Sequence, residues 1–330
     1  MKEHRVSLFW PVILIGAGVL LLLRNLGYIQ PFDINLLLRL WPLILVVIGL
    51  DLIFGRKASW VGGLIALLAI GAVIAFMFYS PSLGIVTTSG VRTETFSTPV
   101  EQTRHAEYRI NASAAPVELD ATAAGTDLIS ATFTHKGIIN YEVSGDKEKT
   151  IRVSQTQEVN SWLQFDFDFS PQKWDISLNP DVLSSLYFDG GSGAINMDLT
   201  GMNLDLLKAD FGSGAADLVL PVSATSYSAE IGSGSAAIKL DLPKNTSIDM
   251  TLESGSGAVR ISFPQGAAVQ IEIMDEGSGA ISVPDGFTAT FQSDNSDYSS
   301  WQSAGFDTAA QKITIRVLDR GSGALTFKYN

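Results

Sequence analysis

The side chains able to do acid–base or metal chemistry are few and widely spaced in this sequence. Asp166 and Asp168 alternate with phenylalanines in Trp162–Phe169, so an extended strand projects both carboxylates from one face. Such a pair could act as acid and base in glycan cleavage, or hold a cation. Asp189, Asp210, Asp275 and Asp319 lie just before Gly-rich tripeptides, where Asp is also an ordinary turn residue. His105 and His135 are the only imidazoles beyond the first 79 residues, and no two His have metal-ligand spacing, so a Ser–His nucleophile has little support. The absence of Cys excludes disulfides, thiolate zinc sites, iron–sulfur clusters and thiol nucleophiles. Neither a phosphate-cradling G-x-x-x-x-G-K-[ST] loop nor a G-x-S-x-G nucleophile elbow occurs. None of these spacings is specific, and an amphipathic strand with ordinary turn aspartates accounts for the carboxylates. No catalytic, cofactor-binding or metal-ligating residue is assigned, and a non-enzyme without cofactor is expected.

The elements that must position any site form a repeat. Gly-Ser-Gly recurs at 191–193, 212–214, 232–234, 255–257, 277–279 and 321–323. The steps are 21, 20, 23, 22 and 44, the last reading as two steps with a degenerate copy near Ser299-Ser300-Trp301. Beyond each tripeptide, alternate positions are mostly apolar, as in Ile195, Met197, Leu199 and Val259, Ile261, Phe263. Alternation with period two marks a half-buried strand. A second alternating strand precedes the tripeptide, as in Leu207-x-Ala209-x-Phe211, and Pro221, Pro243, Pro264 and Pro284 close four of the strands.

One such repeat cannot cover its own apolar face, whereas stacked repeats can, which is the logic of a parallel β-solenoid or β-helix with repeats of about 22 residues. Six steps of about 4.8 Å give a rod near 30 Å long. Gly191, Gly193, Gly212, Gly214, Gly232, Gly234, Gly255, Gly257, Gly277, Gly279, Gly321 and Gly323 are then the structural corners. An antiparallel sandwich of hairpins is the alternative fold. A calcium-binding roll is excluded because Ile195 stands where its Asp belongs. Residues 80–90 read as a linker, 91–190 as an irregular β cap with the first turns, and 191–330 as the Gly-Ser-Gly solenoid. Residues 292–307 break the strand pattern. Their aromatics Tyr298, Trp301 and Phe306 are candidates for contact with a partner, unless they fold back to cover the rod.

The N-terminal part is of another kind. Residues 1–79 hold six basic and three acidic side chains, and residues 80–330 hold the remaining 16 and 31. A formal net charge of −12 argues against a nucleic-acid partner. Three apolar stretches, about 8–23, 36–54 and 58–79, read as membrane spans, the third meeting the required length of about 20 residues and the first doing so only with its flanking residues, which makes the lipid bilayer the first expected partner. Lys2, Arg5, Arg56 and Lys57 on one side outnumber Arg24 and Arg39 on the other, which puts the N-terminus in the cytoplasm and everything after Tyr79 outside. The fold class is therefore an N-terminal α-helical membrane region of three spans plus an all-β C-terminal domain, in a multi-pass protein of the cell membrane with that domain extracytoplasmic.

Phe9-Trp10-Pro11 to Gly16 is echoed by Leu40-Trp41-Pro42 to Gly49, each fitting a helix start with Trp at the headgroups and Pro in the first turn. This doubled pattern resembles the membrane region of the LiaI/LiaF-like bacterial envelope proteins. The Gly-Ser-Gly-Ala repeats are similar to the toastrack and adhesin-like domains joined to such regions. The resemblance implies a cell-envelope stress protein, in some cases one that restrains a membrane histidine kinase. A membrane sensor kinase or another envelope protein is thus the implied partner, and no catalytic residue is implied. The stretch Ala58–Tyr79 is a span beyond the simplest family pattern. A surface adhesin or scaffold contacting envelope glycans is the alternative function, and a glycan-active enzyme the remaining one.

Overall fold

The computed structural model describes residues 91–156 and 171–330, apart from 124, 224, 276, 293–297 and 320, together with helical positions 14–15, 18, 45–46, 49, 64–65, 67–69 and 71. Those helical positions fall in all three apolar stretches. Among the described residues no helix is long and apolar enough to cross a membrane. The greater part of the three expected spans, the linker, and the strand carrying Asp166 and Asp168 lie outside the described residues. The chain divides into two units, residues 1–89 with 159–170 and residues 90–158 with 171–330.

The second unit is all β. In chain order its first strands are β1 (Arg92–Pro99), β2 (His105–Ser113), β3 (Val117–Asp120), β4 (Asp127–His135), β5 (Ile138–Ser144), β6 (Glu148–Thr156) and β7 (Lys173–Leu178). Four regular rungs follow, each a longer strand, a corner and a shorter strand. They are β8 (Leu183–Gly190) with β9 (Ile195–Asp198), β10 (Leu204–Phe211) with β11 (Ala216–Val219), β12 (Tyr227–Ser233) with β13 (Ile238–Asp241), and β14 (Ile248–Ser254) with β15 (Val259–Phe263). The C-terminal part holds β16 (Val269–Ile273), β17 (Ile281–Ser282), β18 (Phe287–Gln292), β19 (Ser299–Ser303), β20 (Ile313–Asp319) and β21 (Leu325–Tyr329).

These strands make two sheets. One runs β1-β4-β7-β3-β9-β11-β13-β15-β21-β17 and the other β18-β19-β16-β20-β14-β12-β10-β8-β2-β6-β5. The ladders between rungs are parallel and stack equivalent positions, as in Ala209 with Ile231 and Leu218 with Leu240, with a register shift near one end of the β8–β10, β14–β20 and β2–β8 ladders. Parallel pairing agrees with a solenoid and excludes the sandwich of hairpins. Antiparallel strands occur at the ends, where β4 pairs β7, β5 pairs β6, and β19 pairs β16. Period-two alternation puts every second side chain between the sheets, so Leu207, Phe211, Met250, Leu252, Met197, Leu240 and Ile261 are fully buried. Each buried aliphatic of this size contributes roughly 1.5–3 kcal/mol against leaving it in water.

The order of the rungs departs from the sequence in two places. β2 and β3 lie directly beside β8 and β9, with β6 and β7 outside them. At the other end β20 and β21 sit directly on β14 and β15, and β16 and β17 lie outside β20 and β21. The last Gly-Ser-Gly copy is therefore inserted between the fourth and fifth. The expected degenerate copy near Ser299 is not a rung. Ser299–Ser303 pairs antiparallel with β16 on one side and β18 on the other, forming a hairpin that closes the sheet.

The corners correct one assignment. From the second corner on, the Ser N–H donates to the carbonyl of the first Gly of the adjoining corner: Ser213 to Gly191 at 3.0 Å, Ser256 to Gly234 at 3.0 Å, Ser278 to Gly321 at 3.0 Å. In the third rung the donor is Ser235, to Gly212 at 2.9 Å, so the stacked corner there is Gly234-Ser235-Ala236. Gly232 and Ser233 belong to β12, in register with Asp210 and Phe211. Counted this way the first five corners step by 21, 22, 21 and 22. The glycines are required by contact. A Cβ on Gly191, Gly214, Gly257, Gly279 or Gly323 would overlap a backbone carbonyl of the adjoining rung.

Candidate functional site

A bulge in β10 aims a polar cluster that links three rungs. The register of β8 with β10 shifts between Leu204 and Leu206, leaving Asp205 as the extra residue. Bulges commonly re-aim a side chain in this way. Asp205 Oδ2 lies 2.9 Å from His105 Nε2 on β2, and Ser185 Oγ on β8 donates to Asp205 Oδ1 at 2.7 Å. Ser185 Oγ is also 3.2 Å from His105 Nε2. Ser, His and Asp thus meet, but not as a nucleophilic triad. In a triad the carboxylate orients one ring nitrogen while the other takes the hydroxyl proton. Here a single nitrogen faces both partners, and the hydroxyl proton is given to the carboxylate. The cluster clips three strands together.

From Asp205 a polar groove of about 380 Å³ runs across the strand starts, lined by Ser226, Ser228, Ser247, Asp249, Lys312, Thr314 and Arg316 above Tyr227 and Ile248. Arg316 donates to Asp249 at 2.6 Å and approaches Glu272 at 3.4 Å. Lys312 Nζ donates to the Asp307 carbonyl at 3.2 Å and lies 5.0 Å from the Phe306 ring. Hydroxyls, carboxylates and cations side by side suit a polar ligand with both donors and acceptors. Elsewhere on the outer faces, ion pairs join neighbouring rungs: Lys208 with Glu230 at 2.6 Å, Lys239 with Asp217 at 3.0 Å, and Lys173 with Glu118 at 2.8 Å. Glu230 raises the pKa of Lys208, and Asp175 followed by Glu118 raises that of Lys173.

Tyr227, in the groove floor, donates to the Pro221 carbonyl at 3.0 Å, and Tyr108 donates to Leu128 at 2.8 Å. Burial pushes both phenols well above their usual pKa. His135 is fully buried at the end of β4. Neither of its ring nitrogens has a hydrogen-bond partner, and its Nε2 lies 3.7 Å from Glu94.

The aromatics singled out in 292–307 are dispersed. Phe306 is 7% exposed. Trp301 packs against the core in register with Ile271. Tyr298 is half-buried, its ring 5.4 Å from that of Phe291, which is 51% exposed. Phe291 is the large exposed aromatic of this end, and the pattern of 292–307 did not include it. The turn aspartates serve their corners: Asp275 and Asp319 accept the N–H of Gly277 and Gly321 at 2.9 and 2.8 Å. Among the described residues no group of three or more His, Asp or Glu could hold a metal ion.

Residues 8–53 match the LiaI-LiaF-like transmembrane region, and residues 87–241 match the N-terminal domain of toast_rack, DUF2154. The chain joins a LiaI-LiaF-like membrane region to a toast_rack domain. It is a membrane protein, and neither family description names an enzymatic activity. Solved structures similar to it include a candidate cell adhesion protein from Clostridium sporogenes, 14% identical, covering 73% of this chain and 100% of that one with a TM-score of 0.45. A candidate adhesin from Bacteroides fragilis is 10% identical, covers 73% and 99%, and has a TM-score of 0.28. A candidate lipid binding protein from Parabacteroides distasonis is 12% identical, covers 71% and 96%, and has a TM-score of 0.28. No curated protein matches the chain in sequence.

Proposed function

We propose that this chain is a membrane-anchored, extracytoplasmic β-solenoid binding protein that acts in cell-envelope stress sensing or regulation through a membrane partner. The observation that carries this reading is the union on one chain of a LiaI-LiaF-like transmembrane region with a toast_rack domain. The distribution of Lys and Arg about the apolar stretches supports an outside location for the β unit. Stacked rungs with a polar, ion-paired outer face support recognition rather than turnover, and the Ser185, His105 and Asp205 cluster has its hydroxyl proton committed to Asp205.

Crosslinking in intact cells, followed by mass spectrometry of the neighbours captured by the full chain, tests the proposal. A membrane sensor kinase or another integral envelope protein is the expected neighbour. The groove between Asp205 and Arg316 favours a second reading, a scaffold contacting envelope glycans. Retention of cell-wall glycan with no membrane protein captured would establish that reading instead. Glycan cleavage abolished by Asp166→Asn or Asp168→Asn would overturn the non-enzymatic reading altogether.

A further inference from the structure

The groove at the strand starts of the eleven-stranded sheet contains a row of donors. Tyr227 donates its backbone N–H to the Ser247 carbonyl at 3.2 Å, and Ile248 donates to the Lys312 carbonyl at 3.0 Å. Ser226, Ser247 and Lys312 therefore stand on neighbouring strands, at steps of about 4.8 Å. Among the described residues Lys312 pairs with no carboxylate. Its Nζ is held by the Asp307 carbonyl at 3.2 Å and lies 5.0 Å from the Phe306 ring, which leaves two of its three N–H groups for a ligand. Ser247 Oγ accepts the Lys312 backbone N–H at 3.3 Å, so its own proton is free to be donated. The hydroxyls of Ser226, Ser228 and Thr314 have no hydrogen-bond partner among the described residues.

Carboxylates border that row. Asp205 closes one end, 40% exposed, with lone pairs left beyond its bonds to His105 and Ser185. Asp249 lies one row further along the strands and is neutralised by Arg316 at 2.6 Å. The groove thus sets hydroxyl donors beside one unpaired ammonium, with a carboxylate acceptor at the far end. From Asp205 on β10 to Lys312 before β20 is three strand steps, about 14 Å. Its volume of about 380 Å³ falls within the range of about 300–1,000 Å³ common to ligand sites. Two observations narrow the ligand. The ring in the floor, Tyr227, is 3% exposed, so no aromatic face is offered for stacking, and recognition falls to hydrogen bonds and charge. Residues 80–330 hold 16 basic against 31 acidic side chains, a field that repels a polyanion. The ligand that fits carries a single acid group among hydroxyls.

We propose that this groove binds an acidic sugar, a glycan unit with one carboxylate among its hydroxyls. The carboxylate takes the free N–H groups of Lys312 and the hydroxyl of Ser247, while the sugar hydroxyls meet Ser226 and Ser228 and donate to Asp205. The inference rests on the reading of the chain as a scaffold contacting envelope glycans, and names the class of glycan.

Calorimetric titration of the full chain in nanodiscs tests this, with a tetrasaccharide of alternating N-acetylglucosamine and glucuronic acid as the probe. The probe is expected to bind, and the neutral N-acetylglucosamine tetrasaccharide to bind about tenfold more weakly or worse, having lost a hydrogen bond to a charged group. Lys312→Met keeps the aliphatic stem and removes the charge. Ser226→Asp, on an exposed side chain, sets a carboxylate one strand step from Ser247. Each should weaken the probe about tenfold or more with the circular dichroism unchanged, whereas Lys239→Met, at an ion pair of the other sheet, should not. Should Lys312→Met alter the fold, Ser226→Asp decides alone. Equal binding of the two tetrasaccharides, tighter binding of a glycerol phosphate oligomer, or undiminished binding in the groove variants would each overturn the proposal. Retention of cell-wall glycan by the parent chain separates the two levels: retention without probe binding removes the acidic-sugar assignment alone, and loss of both removes the glycan reading with it.

Discussion

Ser322 donates its backbone N–H to the carbonyl of Gly255 at 3.2 Å, which seats the last corner of the chain on the fourth rather than the fifth. The fifth corner then rests on the last, through Ser278 and Gly321. The chain passes outward through β16 to β19 and returns to fill an interior rung.

A chain ending at Gln311 lacks β20 and β21. In a stack laid down in sequence order this would remove only the outermost turn, and β16 would stay paired with β14. In the observed order β16 loses its parallel partner β20, and the buried Ile315, Val317, Leu325 and Phe327 leave a gap inside the stack. Losses of this kind cost roughly 2–5 kcal/mol per large side chain. Hydrogen exchange should show protection lost across Val269–Ile273. Protection retained there in the truncated chain would contradict the inserted rung.

The shifted third corner separates two glycines that the tripeptide pattern treats alike. A Cβ on Gly257 would run into the Ala236 carbonyl, whereas one on Gly232 comes only within 3.4 Å of Asp210 Oδ2. Gly257→Ala is expected to lower stability by about 1–3 kcal/mol, because backbone must move. Gly232→Ala should stay within about 0.5 kcal/mol of the parent. Urea midpoints of the two variants decide the matter, and equal losses would argue for a corner at 232–234.

The alternation of apolar residues made the solenoid legible, because a period of two together with a period near 22 admits few other ways to bury Leu207, Leu218 or Ile238. Rung order was not legible for the same reason. Val269-x-Ile271-x-Ile273 and Ile313-x-Ile315-x-Val317 present the same face, and either could lie on Ile248-x-Met250-x-Leu252. The sequence spacing favoured the nearer copy. The hairpin of β18 and β19 consumes the extra length instead. The His105, Ser185 and Asp205 cluster spans 100 residues, so no local motif announces it. Its one trace in the sequence is Leu204-Asp205-Leu206-Leu207, where the alternation slips by one residue at the bulge.

Tyr108 and Tyr227 give the fold an alkaline limit. Both phenols are buried in neutral form, and burial raises their pKa above the usual value near 10. The unfolded chain therefore releases these two protons at lower pH than the folded one. Their contribution to stability is complete below about pH 10 and is lost as pH rises from there toward the folded values. Thermal melting should be insensitive to these groups at neutral pH and fall steeply above about pH 10. Tyr108→Phe, which also removes the hydrogen bond to Leu128, should cost about 1 kcal/mol at neutral pH and flatten the alkaline decline. A decline equally steep in Tyr108→Phe would assign it to other groups.

The clip at Asp205 should behave as a structural tie. Ser185 is 8% exposed and donates to Asp205, so Ser185→Ala leaves a carboxylate oxygen short of a donor. A hydrogen bond to a charged group contributes roughly 1.5–3 kcal/mol. The side chains of His105 and Asp205 are 30% and 40% exposed, so solvent offsets much of that here, and about 1 kcal/mol is expected. Asp205→Asn should cost a similar amount, and the double variant less than the two together, because the residues share one network. Strict additivity in denaturant unfolding would show that the three rungs are not coupled through this cluster. If Ser185→Ala instead left stability untouched while abolishing a hydrolytic activity, the hydroxyl would have to be read as a nucleophile.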